Sequence, residues 1–195
     1  MSTAAAYQPR VLADAVPRVR ARDLALILAA TALTAACAQI SFKLPGSAVP
    51  ITGQTFAVLL SGAALGANRG ATAMLLYVLL GMVGLPIYAD GSHGTHVVFG
   101  ATGGYLVGFL IAGWAVGKLA ERRLDRTPVT ALPAFLVGSA IIYAIGVPWL
   151  AIATHASLGS AVADGFTPFI PGDLIKAAAA AAVLPAAWSF VNRRR

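Results

Sequence analysis

The chain has 195 residues, of which 58% are apolar and 11% charged, where soluble domains carry about 25% charged residues. That is too little polar surface to cover a globule in water, so most of this chain has lipid as its solvent. The net charge of +7 would suit a nucleic-acid partner in a soluble protein. Here the basic residues lie between and outside the apolar runs, which is a pattern of membrane orientation, and no nucleic-acid partner is expected. Cys37 is the sole cysteine, which excludes an internal disulfide framework and a multi-cysteine metal site.

At about 20 residues per span, the length accommodates one helical membrane domain and no second domain. Residues 1–23 form a basic segment with four arginines and no apolar core, unlike a cleavable secretory signal, and the first helix is expected to act as an uncleaved insertion signal. The first span is predicted over residues 24–42, between Asp23 and Lys43, a length of about 28 Å that matches a bilayer core. After the break at Pro45, Gly46 and Pro50, a second span covers 51–67 and stops at Asn68 and Arg69. The third covers 71–88 and leads into the polar interval 90–96; the fourth covers 97–119 and leads into the charged loop 118–126. Pro133 and Pro148 are expected to kink or shorten a fifth span over 128–153. Residues 155–171 are numerous enough to fold back over a site, and a sixth span over 172–191 precedes the basic tail 192–195.

The expected architecture is therefore an all-α integral membrane bundle of about six transmembrane helices, with the transmembrane domain over residues 24–191. With these spans, twelve of the fourteen Lys and Arg residues fall on one side and only Lys43 and Lys176 on the other. Positive-inside bias then puts both termini in the cytoplasm and the loops holding Asp90 and His155 outside.

Small residues recur four apart in the pairs Ala25 and Ala29, Ala32 and Ala36, Gly62 and Gly66, Gly104 and Gly108, and Gly113 and Gly117. In lipid such stripes let helix backbones approach closely. Most are expected to pack the protein's own bundle, and a stripe left facing outward would receive a partner helix. The first helix, with two pairs, is the candidate.

Asp173 and Lys176 stand three apart at the start of the last span, on one helix face, and charges at membrane depth are costly unless paired, hydrated or used. One reading has Asp173 satisfying helix amides while Lys176 snorkels to the outer surface; a cation near a helix N-terminus is electrostatically unfavourable, which favours the other reading, a ligand site. Thr52, Gln54 and Thr55 put three hydrogen-bonding side chains at the outer entry of the second span; Thr52 either caps that helix or takes part in binding, and a buried Gln54 amide requires both a donor and an acceptor. Gly100 to Tyr105 is glycine-rich but lacks a Gly-Lys-Ser/Thr ending, so it is not a phosphate-binding loop; it serves close packing or backbone access to a ligand. His93 and His96 have metal-compatible spacing, but apart from Asp90 no further ligand set completes a site, and no metal is expected. No nucleophile, base and orienting group assemble, and no ATP-hydrolysing apparatus is present, so nucleotide-driven work would need another polypeptide.

Four blocks together resemble the BioY family, the biotin-specific substrate-binding (S) components of energy-coupling-factor (ECF) transporters. They are VPITGQTFAVLLSGAALG at 49–66, LLYVLLGMVGLPIY at 75–88, GATGGYLVGF at 100–109 and PGDLIKA at 171–177, in family order over about 130 residues. The resemblance implies a non-enzymatic six-helix subunit that binds biotin near the outer face, with no cofactor. It also implies a transmembrane coupling subunit and two cytoplasmic ATPases as partners, with docking through Ala25, Ala29, Ala32 and Ala36. Asp173 and Lys176 become the leading pocket candidates, followed by Thr52, Gln54, Tyr77, Tyr88, Gly104 and Tyr105. The stretch GLPIYADGSHG departs from the family's usual third outer loop, so Asp90 and His93 inherit no role, and Gly53 stands where a larger apolar residue is frequent.

Biotin's chemistry agrees with these residues. Asp173 can accept its ureido N–H groups, Lys176 can donate to its ureido oxygen or its carboxylate, and tyrosine and aliphatic side chains can cover its rings. Three rival readings stand beside this one: an S component for another vitamin, a membrane enzyme using Asp90, His93, His96 or His155, and a purely structural subunit.

Overall fold

A computed structural model describes residues 9–15 and 21–193. In chain order the elements are α1 (Arg22–Ala38), a hairpin of β1 (Ser41–Phe42) and β2 (Ile51–Thr52), α2 (Gln54–Leu65), α3 (Ala67–Met82), the single turn α4 (Thr95–Val98), α5 (Gly103–Glu121), α6 (Pro128–Thr154), the short α7 (Leu158–Gly165) and α8 (Ile170–Arg193). The antiparallel hairpin pairs Ser41 with Thr52 and Phe42 with Ile51. Helix α5 is the hub, packed on α2, α3 and α6; α8 closes against α6 and α2, and α1 against α2 and α3.

Lipid supplies no hydrophobic drive between helices, so close backbone packing and interhelical hydrogen bonds hold such a bundle. A Cβ on Gly62 would stand 2.6 Å from the Gly113 carbonyl oxygen, one on Gly70 2.9 Å from the Gly62 Cα, and one on Gly117 2.4 Å from the Ala67 nitrogen. Helices α2, α3 and α5 thus meet backbone to backbone, which only glycine allows. Helix α1 behaves differently. Its Thr31 hydroxyl donates to the Ala73 carbonyl of α3 at 3.0 Å, while Ala25, Ala29, Ala32 and Ala36 are all exposed.

Several expected boundaries move. Helix α1 ends at Ala38, earlier than the predicted residue 42, because the Gly53 N–H donates to the carbonyls of Cys37 and Ile40 at 3.1 and 3.0 Å and residues 41–42 turn into the hairpin. A Cβ at position 53 would lie 2.9 Å from the Cys37 carbonyl oxygen, which accounts for glycine there. Asn68 and Arg69, read as a stop, lie in the first turn of α3: Gly66 at φ +85° makes the whole corner between α2 and α3, and the Glu121 carboxylate accepts the Ala67 N–H at 3.0 Å. Helix α3 stops at Met82 and the expected fourth span divides into α4 and α5. Helix α6 runs unbroken past Pro133 and Pro148. The segment 155–171 folds into α7 and a 3-10 turn.

Among the described residues three stretches are long and apolar enough by themselves to cross a membrane, Gly103–Glu121, Pro128–Thr154 and Leu158–Arg193, and α2 is a shorter apolar helix. Charge is sorted between the two ends of the bundle. At one end Arg69 bridges Asp14 at 2.7 Å and Asp23 at 3.1 Å, and Arg126 donates to the carbonyls of Pro9 and Arg10 while covering the ring of Trp188. Burial acts most strongly on the Asp14 carboxyl and acts upward, yet the Arg69 hydrogen bond and charge with the neighbouring backbone amides hold it below its ordinary value. Asp125 accepts from the Trp188 indole, and burial pushes its carboxyl up despite that bond and the Arg126 charge. The opposite end holds a cavity.

Candidate functional site

Two polar clusters and a set of aromatic rings enclose a cavity of about 350 Å³. The first cluster starts where the hairpin enters α2. The Thr52 hydroxyl donates to the Gln54 side-chain oxygen at 2.8 Å and accepts the Gln54 backbone N–H at 3.3 Å. The Gln54 amide nitrogen donates to the Tyr77 hydroxyl at 2.6 Å, which donates to the Ile87 carbonyl at 3.0 Å. This relay satisfies a buried amide and ties the start of α2 to α3 and to the loop beyond it. Tyr88 folds back against α3: its ring meets Tyr77 edge-on at 5.5 Å, it fills the space a side chain at Gly81 would need, and its hydroxyl donates to the Val78 carbonyl.

The second cluster joins α8 to α2 and α6. Asp173 Oδ1 accepts from Lys176 Nζ at 2.8 Å and from the Thr55 hydroxyl at 3.1 Å, and Lys176 Nζ also donates to Thr55 at 3.1 Å. The Tyr143 hydroxyl donates to Asp173 Oδ2. Asp173 is 6% exposed and its carboxylate is spent on three side chains rather than on helix amides. Lys176, only 18% exposed, turns inward instead of snorkelling. An ammonium has three N–H donors, and two are used here, so one remains for a bound molecule.

Of the residues singled out in the sequence, Thr52, Gln54, Tyr88, Tyr105 and Lys176 line the cavity. Asp173 stands behind Lys176 and Tyr143, and Tyr77 behind Gln54, as supports. Gly104 packs α5 on α6, where a Cβ would lie 2.2 Å from that of Trp149; the Trp149 indole holds the Gly100 carbonyl at 2.9 Å. The Tyr105 hydroxyl donates to the Gly165 carbonyl at 2.8 Å, pinning α7 over this end, and the Tyr105 ring meets Tyr143 edge-on. At the rim Lys43 and Asp90 pair at 2.9 Å, and that bond holds the Asp90 carboxyl below its ordinary range. His96 also lines the cavity, whereas His93 and His155 are exposed away from it. Among the described residues no group of three His, Cys, Asp or Glu side chains could hold a metal ion.

Sequence reasoning placed Thr55 at the entry of the second span without its link to Asp173, and it missed Tyr143, Phe169 and the Lys43–Asp90 pair. Tyr143 carried a usable signal, since a tyrosine inside a span of mean hydropathy 2.0 needs a partner for its hydroxyl.

The BioY family model matches residues 9–193. The chain belongs to the BioY family. It is 41% identical over 153 residues to the biotin transporter BioY of Thermotoga maritima, covering 78% of this chain and 88% of that one. It is 37% identical over 158 residues to the biotin transporter BioY2 of Lactococcus lactis subsp. cremoris, covering 80% and 84%. Its fold matches a crystal structure of the S-component for biotin from an ECF-type ABC transporter with a TM-score of 0.78 and 21% identity, over 87% of this chain and 94% of that chain.

Proposed function

We propose that this BioY-family chain is the biotin-binding S component of an ECF transporter in the bacterial cytoplasmic membrane. The observation that carries the reading is the cluster of Thr55, Tyr143, Asp173 and Lys176 against the cavity wall, together with family membership. Asp173 orients Lys176, whose remaining N–H donates to an oxygen of biotin, ureido or carboxylate. Thr52 and Gln54 offer a hydroxyl and an amide to the polar part of the ligand, and Tyr88, Tyr105 and Phe169 cover its rings. A volume of about 350 Å³ is at the small end of the usual range of ligand sites, as suits a small bicyclic acid. The chain performs no chemistry on its ligand, and no cofactor takes part.

Helices α1, α2, α3, α5, α6 and α8 make up six spans with both termini cytoplasmic. The sorting of charge supports this, since Arg69, Lys118 and Arg126 sit at the end opposite the cavity, as positive-inside bias requires. The exposed stripe of Ala25, Ala29, Ala32 and Ala36 receives a helix of a transmembrane coupling subunit, which links this subunit to two cytoplasmic ATPases. Lipid surrounds the remaining faces, and the subunit tilts to release biotin inside.

Equilibrium binding of biotin to the purified protein, wild type against Lys176→Ala and Asp173→Asn, tests the site. Tight binding by the wild type and its loss in Lys176→Ala are expected. A folded wild type that binds no biotin overturns the assignment.

A further inference from the structure

We propose that the groove between α6, α7 and α8 is a binding site for one acyl chain of a phospholipid, taken from the leaflet on the side of the cavity mouth. The groove holds about 550 Å³ and opens sideways. Leu136, Ala140, Ala144 and Pro148 of α6 line it at intervals of four, which puts them on one helix face. The two alanines make a trough between bulkier ends, and Leu158 and Val162 of α7 with Ile170 and Leu174 of α8 form the opposite wall.

Length and chemistry select the occupant. Twelve residues at 1.5 Å each give a trough of about 18 Å, close to half of a hydrocarbon core about 30 Å thick, so the groove accommodates one chain of one leaflet. Among its described lining residues the only charged one is Asp173, whose carboxylate is already taken by Lys176, Thr55 and Tyr143. The one unspent polar group in the trough is the Ser139 hydroxyl, buried without a hydrogen-bond partner, too little to hold a headgroup and short of the two to four polar partners that an ordered water needs. Leu136, Leu158, Val162, Ile170 and Leu174 are exposed and continue into exposed Val137 and Ile175, so the groove is an indentation of the face that meets lipid. Helix α1, which bears the alanine stripe, packs on α2 and α3, away from this face. Tyr143 lines both groove and cavity, so the chain backs the ring that separates them. The inference rests on α6 and α8 being membrane spans and is independent of which vitamin the cavity takes.

The test uses the full chain in phosphatidylcholine nanodiscs containing a fraction of phosphatidylcholine with a mid-chain diazirine, followed by photolysis and mapping of the adducts by mass spectrometry. Ala140 and Ala144 are expected to be labelled about tenfold more than the exposed alanines Ala32 and Ala178, the excess that 1.4 kcal/mol of preference produces. Ala144→Trp fills the trough and is expected to abolish the Ala140 adduct while leaving that at Ala178; Ala140→Leu, judged by the Ala144 adduct, serves if the first variant does not fold. Even labelling of all four alanines, or an Ala140 adduct that survives filling of the trough, overturns the proposal. Biotin binding to the same nanodiscs separates the two readings: groove labelling without biotin binding would overturn the biotin assignment and leave the lipid site standing.

Discussion

The Tyr143 hydroxyl donates to the second carboxylate oxygen of Asp173, so a residue in the middle of α6 completes the carboxylate that positions Lys176 on α8. Tyr143→Phe keeps the ring between cavity and groove but leaves a buried carboxylate oxygen short of a donor, a loss of about 1–3 kcal/mol. Isothermal titration is expected to find biotin binding about tenfold weaker, equivalent to 1.4 kcal/mol, with the fold retained. Unchanged affinity would remove Tyr143 from the site.

Lys43 and Asp90 reach across the cavity rim from different loops. Both are solvent-accessible, so the pair is screened by salt and contributes little to folding. Its expected effect is kinetic: Lys43→Ala should accelerate biotin association and dissociation together, with little change in affinity or thermal midpoint. Stopped-flow traces in which only dissociation accelerates would assign Lys43 to direct ligand contact instead.

Gly117 faces the backbone of Ala67, and a Cβ there would lie 2.4–2.5 Å from backbone atoms that cannot rotate aside. Gly117→Ala is therefore expected to cost about 1–3 kcal/mol by overpacking, read as a lower thermal midpoint in detergent. Gly84→Ala is the informative contrast: no atom lies within 4 Å of its Cβ, but φ is +112°, so its penalty arises from backbone strain alone.

Two carboxylates at the charged end carry opposite pH signatures. The folded-state pKa of Asp14 lies below its ordinary value, so its contribution to stability is present above pH 3.8 and is lost as pH falls through the lowered value. Asp125 lies above its ordinary value, so the folded state holds its proton more tightly, and its contribution is present below pH 3.8 and fades as pH rises through the raised value. Thermal midpoints measured from pH 3 to 8 are expected to show Asp14→Asn flattening the acid-side loss and Asp125→Asn flattening the alkaline-side loss. Identical profiles for both variants and the wild type would contradict these shifts.

The family blocks and apolar runs made the membrane class, the helical bundle and the region of the site legible, because lipid demands long apolar helices and each block is contiguous in sequence. Lys176 was recognisable as a charge at the start of a span. The contacts of Thr55 and Tyr143 with Asp173 were not. They span sequence separations of 118 and 30 residues, and a hydrogen bond between helices depends on how those helices are rotated against each other. The corner at Gly66, the early end of α1 and the division of the fourth span escaped hydropathy for a related reason: they follow from backbone approaches such as Gly53 to Cys37, which leave no mark on apolar content.

Sequence alone determined that the chain is a membrane protein of apolar helices and that its motifs are those of the BioY family, since both depend only on residue type and order. Tertiary structure decided which stripe faces outward, which of Asp173 and Lys176 lines the cavity and which supports it, and where α6, α7 and α8 leave a groove. These depend on contacts between segments distant in sequence, and close packing of whole helices sets those contacts.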